Sequence, residues 1–370
     1  MHARIADFTL ERYFARWEFA VRHVLCASDA ETIGLGELLA LADDDGKRLW
    51  DTLRLGYTES LGHPLLRAEI ARMYHGLSAD DVITFAGAEE GIYLAMHALL
   101  GPGDHAVVAW PVYQSLYEVA RSIGASVTLV PLDERDWSLD VSAVAAAMRP
   151  NTKVVVVNSP HSPTGAQLSV EQLHRLVAIA ELHGAMLFSD EVYRLLEHDA
   201  PRLPPAAELS PRAMSLGVMS KAHGLAGLRI GWIATRDASV RANLARLRDY
   251  TTICSSAPSE VLAIIALRAQ EQLVGRIRDI VAGNLALLDA FFARNAERFS
   301  WVRPRASTVG FPRYLGGEVD AFAARLVERE GVLILPASQF GYRGNFFRIG
   351  YGRSDMGDAL ERLERFAAAE

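Results

Sequence analysis

Two strongly apolar segments of the sequence end in side chains that could do chemistry. The segment 185–189 is followed by Asp190, and the segment 213–219 is followed by Ser220 and Lys221. If both segments are parallel strands of one open sheet, their carboxyl ends share the edge where ligands of such sheets bind. The sequence therefore brings a carboxylate and a primary amine to one edge, a pair suited to covalent and proton-transfer chemistry.

Taken singly, each candidate residue also has an ordinary structural explanation. Asp190 could cap the N-terminus of a helix, and a loop lysine such as Lys221 is usually a solvated cation. Arg229 and Arg348 could form surface ion pairs, and tyrosines such as Tyr113 more often pack than take part in a site. A functional interpretation of these residues therefore depends on their occurring together.

The elements that would position these residues alternate between strand and helix patterns from about residue 60 to residue 250. The short apolar runs are typical of buried strands, and the segments between them have helical periodicity, as in 169–183. Apolar strands that alternate with helices predict a mostly parallel, seven-stranded sheet with helices on both faces. The seven runs are residues 82–85, 106–110, 127–130, 154–158, 185–189, 213–219 and 230–235.

The remaining patterns predict a second, smaller α+β domain. We expect a long helical region at 259–298, a strand at 308–314, a helix at 319–330, short strands at 332–335 and 346–351, and a closing helix at 355–368. The predicted architecture is α/β, with a large domain at 46–265 and a small domain formed by 1–45 and 266–370. A cleft is expected between the two domains.

Composition and charge exclude several classes of function. The 370 residues carry a formal net charge of −7, which does not suit a broad basic face for nucleic acid. The longest apolar stretches fall far short of the roughly 20 residues that cross a bilayer, so no membrane partner is expected. The N-terminus has charges throughout and does not resemble a secretory signal. Two cysteines cannot form a disulfide framework, which favours a reducing, cytoplasmic compartment.

Several motifs follow one another along the chain. Ser220-Lys221 is followed eight residues later by Arg229, and Asp190-x-x-Tyr193 lies about thirty residues upstream of the lysine. The other elements are Tyr57 with Gly62 and Leu66-Arg67, then Gly87-Ala88-Glu89, Pro111-x-Tyr113, Ser162-Pro163-Thr164-Gly165 and Phe346-Phe347-Arg348-Ile349-Gly350. Together they resemble the class I and II aminotransferases, which are fold-type I enzymes that use pyridoxal 5'-phosphate. The resemblance covers nearly the whole chain.

The resemblance implies roles for the residues around the cofactor ring. Lys221 would hold the cofactor as a Schiff base and, once displaced, would move the Cα proton of the substrate. Asp190 would keep the ring nitrogen protonated, so that the ring can withdraw electrons. Tyr193 would donate a hydrogen bond to the phenolate oxygen of the ring, and Tyr113 would stack on the ring face.

The same resemblance implies a binding site for the cofactor phosphate. Ser220 and Arg229 would supply a hydroxyl and a positive charge. The turn at Gly87, Ala88 and Glu89 would add backbone amides at the start of a helix, where anions bind readily.

Substrate binding and assembly are also implied. Arg348 would clamp the α-carboxylate of the substrate with two parallel hydrogen bonds, and Gly34 and Tyr113 would complete the substrate contacts. Tyr57 would reach the phosphate of the neighbouring subunit, so the active site would be complete only in a homodimer.

The sequence departs from the family pattern at two positions. Ser162 stands where most relatives have an asparagine, and its hydroxyl would reach the phenolate oxygen directly or through water. His223, two residues after the lysine, is either a packing histidine or a proton-handling one. Two arginines, Arg248 and Arg313, are near enough in sequence or topology to be considered for a distal carboxylate of the substrate.

The expected function is an aminotransferase that acts on an L-amino acid and a 2-oxo acid through a Lys221 Schiff base. The start of the chain, with Glu11-Arg12-Tyr13-Phe14, and the stretches around residues 36, 248–251 and 310–313 also resemble capreomycidine synthases. Those relatives eliminate a β-hydroxyl and cyclise a guanidino amino acid, so a lyase or cyclase is the alternative. A ligand-sensing regulatory domain is a third class. It is disfavoured because the 45 residues before the large domain are too short and too weakly basic for a DNA-binding segment.

Overall fold

The computed structural model describes residues 4–370, and its first elements precede the main sheet. Helix α1 buries Leu10 and Phe14, and α3 begins where the Asp43 carboxylate accepts a hydrogen bond from the amide of Gly46. These first elements are α1 (Thr9–Trp17), β1 (His23–Val24), α2 (Leu35–Ala40), α3 (Asp44–Asp51) and α4 (Pro64–Ala71).

A seven-stranded sheet occupies the middle of the chain. Its strands are β2 (Val82–Phe85), β3 (His105–Trp110), β4 (Ser126–Pro131), β5 (Thr152–Asn158), β6 (Met186–Asp190), β7 (Ala213–Val218) and β8 (Gly231–Thr235). They lie in the order β2-β8-β7-β6-β5-β3-β4, and β8 alone runs antiparallel to its neighbours. All seven predicted strands and the mostly parallel sheet are confirmed, with boundaries within two residues of the prediction.

Helices connect the strands and cover the sheet. They are α5 (Ala88–Leu99), α6 (Ser115–Ile123), α7 (Val141–Ala147), α8 (Val170–Leu182), α9 (Ala206–Leu209), α10 (Ala238–Arg248) and α11 (Ala257–Arg268). Helix α8 begins with a reciprocal cap, because Ser169 Oγ accepts from the amide of Gln172 and Gln172 Oε1 accepts from the amide of Ser169. It lies within the helical pattern predicted at 169–183, and its buried face consists of Leu173, Leu176, Val177 and Ala180.

The C-terminal part combines helices with short, mostly antiparallel strands, and two of its predicted strands are each divided into two shorter ones. It contains α12 (Gln270–Arg294), β9 (Phe299–Ser300), β10 (Val309–Gly310), β11 (Arg313–Tyr314), α13 (Val319–Glu330), β12 (Val332–Leu333), β13 (Leu335–Pro336), β14 (Phe347–Gly350) and α14 (Met356–Ala369). The long helical region expected at 259–298 consists of two helices separated at Ala269, since α11 packs in the core beside the sheet and α12 packs in the C-terminal core. The strand expected at 308–314 is two short strands on either side of Pro312, a residue without the amide hydrogen that a continuous ladder needs. The strand expected at 332–335 is also divided, since β12 pairs with β1 and β13 pairs with β14.

The beginning of the chain joins the C-terminal part. Strand β1 pairs in parallel with β12, and Leu25 and Ala30 belong to the same hydrophobic core as α12, α13 and α14. The division of the chain into domains at residues 46 and 265 stays a prediction. Within residues 4–370, no helix combines the length and the apolar character that crossing a bilayer requires.

Candidate active site

One edge of the sheet collects the chemistry-bearing residues. Strands β2, β3, β5, β6 and β7 all end there, and β8 begins there because it runs in the opposite direction. The edge opens into a cleft of about 370 Å³. Ten of the residues predicted for the site line this cleft: Ala88, Glu89, Tyr113, Ser162, Asp190, Tyr193, Ser220, Lys221, Arg229 and Arg348.

The amine of Lys221 is held beside the N-terminal segment. Its Nζ donates a hydrogen bond to Ser28 Oγ at 2.8 Å and lies 5.3 Å from the centre of the Tyr193 ring. The Tyr193 hydroxyl donates to the carbonyl oxygen of Ser28 at 3.4 Å, and Thr308 Oγ1 donates to the same oxygen at 3.0 Å. A single residue, Ser28, therefore connects the lysine, the tyrosine and the C-terminal part.

Asp190 is buried at the end of β6. Its Oδ1 accepts a hydrogen bond from the amide of Val192 at 3.1 Å. Burial raises the pKa of Asp190 to about 7, and the Val192 amide and the positive charge of Lys221 partly oppose that shift. Such a carboxyl group gains most from a cationic or hydrogen-bond-donating ligand in the cleft, because a donor stabilises its charged form.

Asn158 holds the end of β5 against β6. Its Nδ2 donates to the carbonyl oxygen of Asp190 at 3.0 Å, and its Oδ1 accepts from the amide of Ser162 at 2.6 Å. This pair of bonds places Ser162 at the cleft and agrees with a structural role for Asn158.

An anion-binding corner lies at the start of α5. Gly87 caps this helix at φ +84°, and a Cβ at Gly87 would lie 2.6 Å from Arg229 Nη2. The start of α5 therefore lies next to the guanidinium of Arg229, and Ser220 lines the same cleft. Helix-terminal amides, a hydroxyl and an arginine are the groups that bind a phosphate.

Arg348 points into the cleft from β14. The residue is only 3% exposed, and its Nε donates to the carbonyl oxygen of Cys26 at 3.0 Å. The N-terminal chain passes directly against this strand, since a Cβ at Gly350 would lie 1.9 Å from the carbonyl oxygen of Ala27. The terminal nitrogens of Arg348 have no hydrogen-bond partner within residues 4–370, which leaves them available for a carboxylate.

Acidic side chains line the other side of the cleft. The Tyr113 hydroxyl donates to Glu11 Oε1 at 2.7 Å, and burial above all raises the pKa of this tyrosine. Glu89 accepts a hydrogen bond from Ser115 Oγ at 3.0 Å, and burial raises its pKa to about 7. Sequence reasoning missed Glu11 and Glu18 as cleft residues, although the (i, i+3) and (i, i+4) spacing of Glu11, Phe14 and Glu18 could have indicated one face of a helix.

Three predicted site residues, Gly34, Tyr57 and Gly87, do not line the cleft. Gly34 begins helix α2 and is exposed, and its amide donates to Glu37 Oε2 at 2.6 Å. Tyr57 is 89% exposed. Gly87 shapes the corner beside Arg229 without lining the cleft itself.

His223 faces away from the cleft. Its Nε2 is 3.2 Å from Gln270 Oε1, and the ring lines a second cavity of about 400 Å³ behind the sheet edge. Burial lowers the pKa of this histidine to about 4, so the ring is neutral at physiological pH. Its position favours the packing role over the proton-handling role.

Comparison with known proteins identifies the family and several relatives of this chain. The sequence matches the family "Aminotransferase class I and II" over residues 41–363. It is 33% identical to capreomycidine synthase from Streptomyces vinaceus, over 94% of this chain and 89% of that protein. A PLP-dependent aminotransferase from Streptococcus suis superposes with a TM-score of 0.93 at 28% identity, covering 99% of both chains. The PLP-dependent cyclase OrfR gives 0.91 at 29% identity, covering 99% of this chain and 98% of the cyclase.

These matches confirm the predicted fold class and the predicted cofactor, pyridoxal 5'-phosphate. The match extends over most of the chain, from before the main sheet into the last helix. The chain belongs to the class I and II aminotransferase family.

Proposed function

We propose that the protein transfers an amino group between an L-amino acid and a 2-oxo acid, with Lys221 as the covalent anchor of pyridoxal phosphate. The observation that carries the proposal is the placement of Lys221 and the buried Asp190 in the same cleft. The two lie at the ends of neighbouring strands and line one cleft. An amine and a carboxyl group so placed can hold opposite sides of one ligand.

The residues of the cleft fit the chemistry of pyridoxal phosphate. When bound, this cofactor supplies an aldehyde that links to amines and a ring that withdraws electrons from the substrate. Ser220, Arg229 and the first amides of α5 would hold the phosphate. Asp190 would accept a hydrogen bond from the protonated ring nitrogen, and its burial, which raises its pKa to about 7, supports a role as the partner of a positive charge. Tyr113 would cover one face of the ring.

The chain's own residues would then orient the substrate and move its proton. Arg348 would bind the α-carboxylate through its two terminal nitrogens, because its Nε is already used by Cys26. Lys221 would take the Cα proton on Nζ, and Ser28 Oγ and the Tyr193 ring define the place where that amine stands when it is not linked to the cofactor.

Covalent labelling tests the role of the lysine. The chain has only three lysines, Lys47, Lys153 and Lys221, and the first two are exposed. After borohydride reduction of the cofactor-loaded protein, we expect the added mass on Lys221 alone. Lys221→Ala should lose at least about a thousandfold in turnover, whereas the control Lys153→Ala keeps it. Labelling elsewhere, or full turnover by Lys221→Ala, contradicts the proposal.

An elimination or cyclisation reaction is the second candidate function. The observation that favours it is the similarity to two proteins named capreomycidine synthase and PLP-dependent cyclase. Incubation with one amino acid separates the candidates. A transaminase converts its cofactor once to the amine form and then needs a 2-oxo acid, whereas a lyase or cyclase returns the cofactor unchanged and accumulates product without a 2-oxo acid.

We also propose that the active form is a cytoplasmic homodimer. Tyr57, Leu55 and Tyr250 are 89%, 86% and 85% exposed, which is unusual for large aromatic and aliphatic side chains and supports a face covered by a second copy. Both cysteines are unpaired, and Cys26 is buried, which supports a reducing compartment. The exposure of Tyr57 agrees with its proposed contact to the phosphate of the neighbouring subunit.

A further inference from the structure

The face of α1 that lines the cleft carries two carboxylates on either side of an aromatic ring. Glu11, Phe14 and Glu18 are spaced by three and four residues, which places them on one side of the helix. All three line the cleft, and Glu18 is the residue directly after the end of α1. Phe14 also lies over the guanidinium of Arg348, with 5.6 Å between the guanidinium carbon and the ring centre.

Helix α1 is fixed in this position by contacts at both sides of the cleft. Gln114 at the start of α6 accepts from the amide of Thr9 at 3.0 Å and donates to the carbonyl oxygen of Asp7 at 2.9 Å. On the other side, the Tyr13 hydroxyl donates to the carbonyl oxygen of Ile334 at 3.1 Å. The helix that carries the two carboxylates is therefore held in place by hydrogen bonds to two other parts of the chain.

The cleft contains more carboxylates than its cationic side chains can neutralise once those cations bind the cofactor and the substrate carboxylate. Among the described residues that line the cleft, the cationic side chains are Lys221, Arg229 and Arg348. Under the proposed function these bind the cofactor aldehyde, the phosphate and the α-carboxylate.

The carboxylates leave an excess of negative charge. Asp29 is already paired with Arg353 through two hydrogen bonds of 3.0 and 2.8 Å. Neither Glu11 nor Glu18 has an ion-pair partner in the described part of the chain. Burial raises the pKa of Glu18, a cost that a bound cation would offset.

Arg348 shows that this region of the cleft is built for a ligand. Its side chain is more than nine-tenths buried, lines the cleft and keeps its terminal nitrogens without a partner in residues 4–370. A carboxylate held there lies beside Phe14, so the rest of the same ligand is within the region that Glu11 and Glu18 border.

Residues 4–370 place no further arginine or lysine in the cleft for a distal carboxylate of the substrate. The Arg248 guanidinium is bound to the carbonyl oxygen of Ser60 and to Ser255 Oγ, and Arg313 lies over the ring of Phe346. Neither arginine lines the cleft. An acidic substrate side chain would instead face two carboxylates.

We propose that the amino-acid substrate has a positively charged side chain, an ammonium or a guanidinium group, and that Glu11 and Glu18 bind it. This inference rests on the proposed function, because the site of the α-carboxylate fixes where the side chain can lie. Glu11 and Glu18 are binding residues that decide specificity, and they take no part in the proton transfer.

Binding of unreactive ligands tests the proposal without turnover. 5-Guanidinopentanoate has the carboxylate and guanidinium of arginine but no amino group. Hexanoate has the same carboxylate on an uncharged alkyl chain and serves as the comparison. Calorimetry on the cofactor-loaded protein should give at least about tenfold tighter binding of the guanidino acid. Glu18→Gln or Glu11→Gln should remove most of this preference, and the exposed control Glu361→Gln should preserve it. Equal affinities in the unmodified protein overturn the proposal, even if a variant fails to fold.

Turnover separates a failure of this inference from a failure of the proposed function. Arginine, ornithine and lysine should exceed citrulline, norleucine and glutamate by at least about tenfold in kcat/KM. If neutral or acidic amino acids react as well as cationic ones, the substrate class is wrong and the transaminase assignment stands. If no amino acid reacts and borohydride attaches nothing to Lys221, the proposed function itself has failed.

Discussion

Lys221 Nζ donates a 2.8 Å hydrogen bond to the Oγ of Ser28, a residue 193 positions earlier in the chain. The bond links the end of β7 to the segment that follows β1, so the reactive amine is positioned by a part of the chain outside the sheet. In the proposed reaction the amine is free whenever it is not joined to the cofactor, and Ser28 is its partner in that state.

We expect Ser28→Ala to lower kcat about fivefold and to leave KM for the amino donor within about twofold. A single hydrogen bond of this kind contributes roughly 1 kcal/mol, which corresponds to about that factor in rate. Steady-state kinetics with thermal unfolding is the measurement, and Ser122→Ala in α6 is the control. An unchanged kcat would show that the amine needs no such partner.

Asp190→Asn should make the cofactor-free protein more stable at high pH. In the unfolded chain Asp190 has the ordinary aspartate pKa of 3.8, whereas burial raises the pKa in the folded state to about 7. Between these values the folded state binds more protons, so the contribution of Asp190 to stability falls as pH rises. Urea unfolding at pH 5.5 and pH 8 should show this loss in the unmodified protein and a smaller loss, by roughly 2 kcal/mol, in the variant.

The same variant should lose function when it is loaded with cofactor. An amide cannot stabilise a protonated ring nitrogen as a carboxylate can, so turnover should fall at least about a hundredfold while the cofactor stays attached to Lys221. Full activity of Asp190→Asn would contradict the proposed role. Burial also raises the pKa of Glu89 to about 7, so its contribution to stability falls with rising pH in the same way. Glu89→Gln is therefore a useful comparison.

The sequence was a good guide wherever the signal was local. Lys221 and Asp190 follow apolar runs that could be recognised as strands, and parallel pairing then brings their ends to one edge. Gly87 precedes α5 and takes the positive φ that such a turn requires. These features depend on neighbouring residues, which a single sequence displays directly.

The sequence was a poor guide wherever distant segments meet. Ser28, Glu11 and Glu18 reach the cleft only because β1 pairs with β12 and α1 packs between two parts of the chain, and no spacing in the first 30 residues reveals that. The break at Ala269 was missed for a related reason. The apolar pattern continues across it, and only the packing of α11 and α12 in different cores separates the helices.

Arg348→Gln should weaken the handling of every amino acid without changing cofactor loading. Arg348 Nε is bound to Cys26, so the residue presents two donors to a carboxylate from a fixed plane. Loss of two charge-assisted hydrogen bonds should lower kcat/KM about a hundredfold to a thousandfold. The absorbance of the bound cofactor should stay unchanged, and the exposed control Arg343→Gln should behave as the unmodified protein. If the variant loses cofactor binding instead, Arg348 binds the cofactor and not the substrate carboxylate.

Mixing two inactive variants tests whether neighbouring subunits share an active site. Lys221→Ala removes the anchor from its own site, and Tyr57→Ala removes the residue that is proposed to reach the partner's phosphate; Tyr57 is 89% exposed in the single chain. A mixed dimer has one site that lacks both groups and one site that has both. After random reassociation, half of the dimers are mixed, so activity should recover to about a quarter of that of the unmodified protein. Each variant reassociated alone is the control, and no recovery in mixtures that light scattering identifies as dimers would exclude a shared site.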